Sequence, residues 1–363
     1  MKSLMKNRGA GVALFAASVT FVPAANILAE PTTANTPEGE TDAASVESTK
    51  HGAEANSPAM LFVIGPNMGF VGFDNAETLS GMKVAVTSEL KLSRDTVLQP
   101  RDAVLDSRGA LYLLSSANGG SVAVYDNPRT ATGSRAPDRI VFGDKTQISR
   151  SPSAIAIDRD NDLLYVANTM SDTVVFDISS PESFNGDIAP VRTFDVDVSQ
   201  FKPEQMRFAN GALYMVDARG GTSDILVFDD PGELQGKVSA NRVITHAEFD
   251  NKIGIDVDAS DRLIVSVRKS GQVLIFNNAS KLDGIASPDV ALSIADTKVK
   301  AQPSHATIDS HDRLFVADAN GNVTFSFDRA SELASGKHRP DRTIGSRELI
   351  APNRLLVVEH VAQ

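Results

Sequence analysis

The chain has 363 residues, 42% of them hydrophobic, and a formal net charge of -11. That acidity excludes nucleic acid as a partner, because phosphate binding needs a basic surface. No cysteine is present, which excludes disulfides, thiolate metal sites, a lipoprotein anchor and a cysteine nucleophile.

The amino terminus reads as a targeting segment. Lys2, Lys6 and Arg8 precede an apolar stretch from Ala10 to Val22, and small residues offer cleavage sites near Ala24 or Ala29. Residues 1–29 are therefore expected to be a secretory signal peptide. The apolar run is shorter than the ~20 residues a spanning helix needs, so no integral membrane segment is expected after signal removal. Residues 30–58 carry Glu38, Glu40, Asp42, Glu47 and Glu54 with few large apolar side chains. They read as a disordered acidic linker that cannot offset its chain entropy.

From residue 59 onward the sequence repeats with a period of about fifty residues. Each unit has an aromatic residue followed by an acid or amide: Phe73-Asp74, Tyr125-Asp126, Phe176-Asp177, Phe228-Asp229, Phe276-Asn277 and Phe327-Asp328. A glycine follows in each: Gly81, Gly133, Gly186, Gly236, Gly284 and Gly336. A proline opens the next unit at Pro100, Pro152, Pro203, Pro303 and Pro352, with Lys252 in the fifth place. Within a unit, alternating apolar and β-branched residues predict four short strands, as in 153–157, 163–167, 173–176 and 192–194. Small residues in the first strand (Ala103, Ala154, Ala156, Gly254, Ala306) suit a crowded hub. The fold class is thus all-β: a six-bladed β-propeller over residues 59–363 with four-stranded blades. The first unit begins at what matches a second strand, and the segment after Pro352 matches a first strand. The C-terminal strand is therefore expected to close the ring, removing exposed sheet edges.

Pro152 to Asp158, Leu164-Tyr165-Val166-Ala167-Asn168, Val174-Val175-Phe176-Asp177, Pro190-Val191-Arg192-Thr193-Phe194 and Pro340-Asp341-Arg342-Thr343-Ile344-Gly345 carry a further likeness. In these residues the chain resembles the NHL and YVTN-type repeat propellers of bacterial exported proteins, over about residues 59 to 360. Blades one and five lack the Pro-x-Arg step. The resemblance implies a ligand site on the face built by the connections between second and third strands and between blades, here called the loop face. First-strand entrance positions in that register include Asp102, Gln205, His305 and Arg354, and second-strand ends include Asn168, Asp217 and Asp318. These seven are the candidate ligand-binding residues of an axial mouth.

Gluconolactonase-like six-bladed propellers hold a divalent metal with Glu, Asn and Asp on this face. Glu204, Asn168 and Asp217 are the comparable residues, with Ca2+ or Zn2+ as the metal. His305 is the one histidine on an expected inner strand; a general base, a metal ligand and a histidine bonded within the channel are the alternatives. Asp106, Asp158, Asp258 and Asp309 end first strands in four units, which points to capping of the tight turn that follows. Asp158 to Asp162 mimics the start of a calcium loop, but Leu163 stands where that loop needs Gly and Thr169 where it needs Glu. No Gly-x-Ser-x-Gly elbow or phosphate loop occurs. The absence of tryptophan counts against the quinone-cofactor propellers, which repeat a tryptophan docking motif.

The leading expectation is therefore an exported, monomeric, cofactor-free and non-catalytic propeller in the periplasm or outside the cell. It would bind an envelope or extracellular protein, a glycan or a small ligand through its loop face. The alternative is a divalent-metal-dependent lactonase or hydrolase of the gluconolactonase-like type.

Overall fold

A computed structural model describes residues 59–93, 97–169 and 171–358; the signal and linker expectations for residues 1–58 lie outside the described residues. The strands form six sheets, each built on four antiparallel strands, arranged as the blades of a β-propeller. Blade three has the order the sequence predicts: Pro152–Asp158 innermost, then Leu163–Asn168, Ser171–Asp177 and Arg192–Val196. The innermost strands of blades two, four, five and six are Asp102–Leu105, Pro203–Ala209, Ile253–Val257 and Pro303–Ile308.

The ring closes with the two chain ends of the propeller in one blade. Arg354–Val358 pairs antiparallel with Met60–Gly65, from Met60↔Val358 to Ile64↔Arg354, and forms the inner strand of blade one. Met60, Leu61, Phe62 and Val63 are fully buried. An unpaired inner strand there would leave their backbone groups and apolar surface uncovered.

The recurring aromatic residue packs between blades. Phe73, Tyr125, Phe176, Phe228, Phe276 and Phe327 are all at most 1% exposed. Phe176, for instance, joins Tyr112, Val124 and Val141 of the preceding blade in one cluster. The recurring glycine does different work. Each of the six has positive φ, which only glycine adopts cheaply, and each lies against the outer strand of the preceding blade. Gly236–Val238, Gly284–Ile285 and Gly336–His338 add a fifth, parallel strand to blades three, four and five. Gly81 and Gly186 make single parallel bridges to Ile344 and Val141, and the Gly133 carbonyl accepts from Lys91 N at 2.9 Å. Every blade edge is thus covered by the next blade's outer connection, which suppresses edge-to-edge pairing with other chains.

Asp106, Asp158, Asp258 and Asp309 accept backbone N–H groups of the turns that follow them. Asp258 Oδ1 accepts from Ser260 N at 3.0 Å and Arg262 N at 2.8 Å, and Asp309 Oδ1 from His311 N and Arg313 N. These turns make the face opposite the loop face, here called the turn face.

Candidate functional site

The first and third residues of each inner strand's hub-facing register point toward the axis, because side chains alternate with period two. At the entrance register this gives Asp102, Gln205, His305 and Arg354, all at most 8% exposed. They bond from blade to blade. Arg354 Nη1 lies 2.8 Å from His305 Nε2, and Arg354 Nε lies 3.2 Å from Asp102 Oδ1. Asp102 Oδ2 accepts from Ile155 N of blade three at 3.3 Å. Gln205 Oε1 accepts from Ile255 N of blade five at 2.9 Å. Ser304 Oγ donates to Pro352 O at 2.5 Å across the closure.

Two residues beyond Gln205, Gly254 and His305, the entrance positions of blades four, five and six, stand Arg207, Asp256 and Thr307. Arg207 Nε is 2.5 Å from Asp256 Oδ1, and Thr307 donates its hydroxyl to Asp256 Oδ2. Arg159, in the turn after the third inner strand, donates Nε to Leu105 O at 3.0 Å. A polar belt therefore runs around the hub from blade four through five, six, one and two to three. Between blades three and four the inner strands meet through apolar contacts that include Ala154, Ala156 and Met206.

Burial sets the protonation of this belt. Burial raises the Asp102 pKa above its ordinary value, against the opposing pull of Arg354. Burial, reinforced by the charges of Arg354 and Arg207, holds the His305 pKa well below 6.5. Arginine cannot give up its proton, so Nε2 of His305 accepts from Arg354 and the ring is the neutral Nδ1–H tautomer. Its Nδ1 has no partner of hydrogen-bond geometry; the Ile255 backbone is the polar group beside it. The channel-bonded alternative for His305 is the one this geometry describes. Nε2 is not available as a base while Arg354 occupies it.

The other candidates from the sequence do not join this belt. Asn168 Oδ1 accepts from Ser149 N at 2.8 Å, and Nδ2 donates to Gln147 O and Asp172 O. Asp217 accepts from Lys202 N at 2.9 Å and pairs with Arg219 Nε at 2.5 Å; burial raises its pKa. Asp318 Oδ1 accepts from Gln302 N at 2.8 Å and Asn320 N at 3.1 Å. Ser115 makes the equivalent bonds to Leu98 in blade two. All four hold the incoming inter-blade loop against the end of the second strand. Glu204, on the bulge between Pro203 and Gln205, pairs with Lys202 Nζ at 3.0 Å.

A cavity of about 810 Å³ lies on the axis, within the size range of small-molecule sites, and it opens on the turn face. Its rim comes from the first turns of blades five and six, including Ser260 and Asp312, and from Asn277. Arg159, Arg207 and Asp256 line its wall, and His305 and Arg354 its deep end. Apart from His305 and Arg354, which belong to the entrance register, its lining comes from further along the inner strands and from the turn face. At the loop-face end the entrance residues Asp102, Gln205, His305 and Arg354 are buried and bonded to one another or to the next blade. Among the described residues, no group of three His, Asp or Glu side chains is placed to hold a metal, and the donor atoms of Glu204, Asn168 and Asp217 are engaged as just described.

Arg159, Arg207, Asp256 and Thr307 were not singled out from the sequence. Their signal is the period-two step along the inner strand: Arg207, Asp256 and Thr307 each follow an entrance residue by two positions.

No protein-family model matches the chain, and no curated protein matches it in sequence. Solved structures do match in shape. A chain of the nidogen/laminin complex gives a TM-score of 0.59 at 12% identity, covering 83% of this chain and 98% of that one. A protein of unknown function from Bacteroides caccae gives 0.56 at 8% identity, covering 84% and 100%. The periplasmic gluconolactonase PpgL of Pseudomonas aeruginosa gives 0.54 at 14% identity, covering 84% and 99%. At such identities the likeness is one of fold, and the fold it shares with them is the β-propeller.

Proposed function

We propose that this chain is an exported, non-catalytic binding propeller of the NHL/YVTN repeat type, and that it holds a small polar ligand in the axial cavity. The observation that carries this is the engagement of the hub's reactive groups with one another. His305 Nε2 bonds to Arg354, Asp102 to Arg354 and the Ile155 N–H, and Asp256 to Arg207 and Thr307. A catalytic acid, base or nucleophile needs an atom within hydrogen-bond reach of the reacting group; here those atoms face protein partners. What remains open is a recess with polar walls. The signal pattern in residues 1–29 supports a location in the periplasm or outside the cell. There it would meet the small ligands, glycans or envelope proteins the sequence suggested; the recess favours the first of these.

The competing activity is a Ca2+- or Zn2+-dependent lactonase. Metal analysis of the purified protein, paired with a lactone hydrolysis screen, separates the two. The binding reading expects no turnover and no stoichiometric metal. Stoichiometric calcium or zinc that disappears together with turnover in Asp217→Ala would overturn it.

A further inference from the structure

The wall of the axial cavity is built of charged groups, yet it carries no net charge. Four arginines and four aspartates line it. Arg207 lies 2.5 Å from Asp256, and Arg262 pairs with Asp258 at 2.6 Å and with Asp312 at 2.8 Å. Two partners that do not line the cavity, Asp102 of Arg354 and Arg313 of Asp309, are one of each sign and keep the balance even. An ionic ligand entering this recess would give up water and meet no net countercharge, which is the costly case.

We propose that the axial cavity takes an electrically neutral, polyhydroxylated ligand, a small sugar or polyol. This rests on the binding reading above and specifies its ligand class. The carboxylates of the wall keep acceptor capacity after their own bonds are made. Asp258 accepts from Ser260 N, Arg262 N and Arg262 Nε. Asp312 accepts from Arg262 Nη2, Ser331 N and Ser331 Oγ. A carboxylate offers about four acceptor sites, so each has one left. Arg262 spends Nε and Nη2 in these bonds, and a guanidinium carries about five N–H donors. The wall therefore offers donors and acceptors side by side. A hydroxyl donates and accepts through one oxygen, so a single ligand hydroxyl can answer a carboxylate and the guanidinium paired with it. A ligand carboxylate only accepts and an ammonium only donates. Leu105, Ile308 and Leu355 add aliphatic surface to the lining, which suits the C–H groups of a sugar or polyol. The cavity opens on the turn face, at the end of the channel opposite the mouth implied by the repeat resemblance, so this site is separate from the one in the metal-dependent reading.

The test is isothermal titration calorimetry of the purified protein with D-glucose, trehalose and sorbitol as neutral probes, and with D-gluconate and D-glucosamine as charged ones. At least one neutral probe is expected to bind, about tenfold or more tighter than either charged probe, the scale of leaving a charge uncompensated in a recess. Arg159→Gln removes one positive charge from the wall and should raise the affinity for glucosamine relative to gluconate. Asp312→Asn removes one negative charge and should shift that ratio the other way. Melting temperatures of both variants exclude misfolding as the cause. Failure of all three neutral probes to bind, a charged probe binding as tightly as the best neutral one, or an unchanged ratio in both variants would overturn the neutral-ligand site. If a charged probe alone binds, the binding reading survives without it. If a neutral probe binds and is chemically converted, the neutral-ligand site survives and the non-catalytic reading falls.

Discussion

Arg354, the first residue of the closing strand, reaches His305 of blade six with Nη1 at 2.8 Å and Asp102 of blade two with Nε at 3.2 Å. One side chain thereby joins three blades at the seam where the ring is shut. Its side chain is only 2% exposed, and that of Asp102 3%. Removing one partner of a buried ion pair leaves an uncompensated charge and costs about 3–5 kcal/mol, whereas removing both costs far less. Arg354→Met is therefore expected to lower stability by that amount in urea unfolding. Adding Asp102→Asn should recover a clear part of the loss. Additive losses in the double variant would show that the two residues do not act as a pair.

The closing strand itself is open to a blunter test. Truncation after Ala351 removes Arg354, Leu355 and Leu356, each at most 8% exposed, and all the pairing with Met60–Gly65. Burial of each leucine contributes about 1.5–3 kcal/mol, and the buried ion pair goes as well. Against a total stability of about 5–15 kcal/mol, the truncated ring should show no cooperative thermal transition by circular dichroism. A melting temperature equal to that of the full chain would mean the tail is ornamental.

The pH dependence of stability should carry a mark of His305. Its folded-state pKa lies well below the ordinary 6.5, so on acidification the unfolded chain takes up the proton first. Stability from this residue is intact above about pH 6.5. It falls as pH drops below that value, by up to about 1.4 kcal/mol per pH unit, until the folded-state pKa is reached. Asp102 acts with the opposite sign. Its raised pKa lets the folded state hold a proton longer, so it favours folding on acidification in a window above 3.8. Comparison of the wild type with His305→Gln, whose amide oxygen can still accept from Arg354, isolates the histidine. The variant should lose the downward slope below pH 6.5. Parallel curves for the two proteins would show that His305 is protonated as easily folded as unfolded.

The ring was legible because its signals repeat. Apolar alternation, the Phe or Tyr stripe and the closing segment after Pro352 each encode local geometry, and six copies make them visible. The purpose of Gly236 or Gly336 was not, because a parallel contact with the preceding blade leaves no periodic trace of its own. At the site, Asp102, Gln205, His305 and Arg354 were identified correctly as hub positions, since strand register alone places them there. Which end of the channel stays open depends on side-chain volume and on bonds between residues some fifty positions apart, which no single repeat displays. For Asn168, Asp217 and Asp318 the sequence left the role open for a related reason. A buried polar residue at a strand end looks the same in sequence whether it awaits a ligand or satisfies the backbone of a loop.

Gly254 offers the sharpest test of how tightly the hub is packed. Its N–H donates to Ser266 Oγ at 3.1 Å. A Cβ at this position would fall inside contact distance of the Ser304 carbonyl oxygen and Ser266 Oγ, and 3.1 Å from the His305 Cα. Two of these three neighbours are backbone atoms of the adjoining inner strand, which cannot swing away as a flexible side chain would. Gly254→Ala should therefore push blades five and six apart at the axis and cost about 1–3 kcal/mol, the usual range for overpacking. Gly232→Ala, at an exposed turn with nothing within 4 Å, should stay within about 0.5 kcal/mol of the wild type. The displacement caused by Gly254→Ala acts on the strand that carries His305, and through it on Arg354 at the deep end of the cavity. Equal urea midpoints for the two variants would show that the inner strands of blades five and six stand further apart than described here.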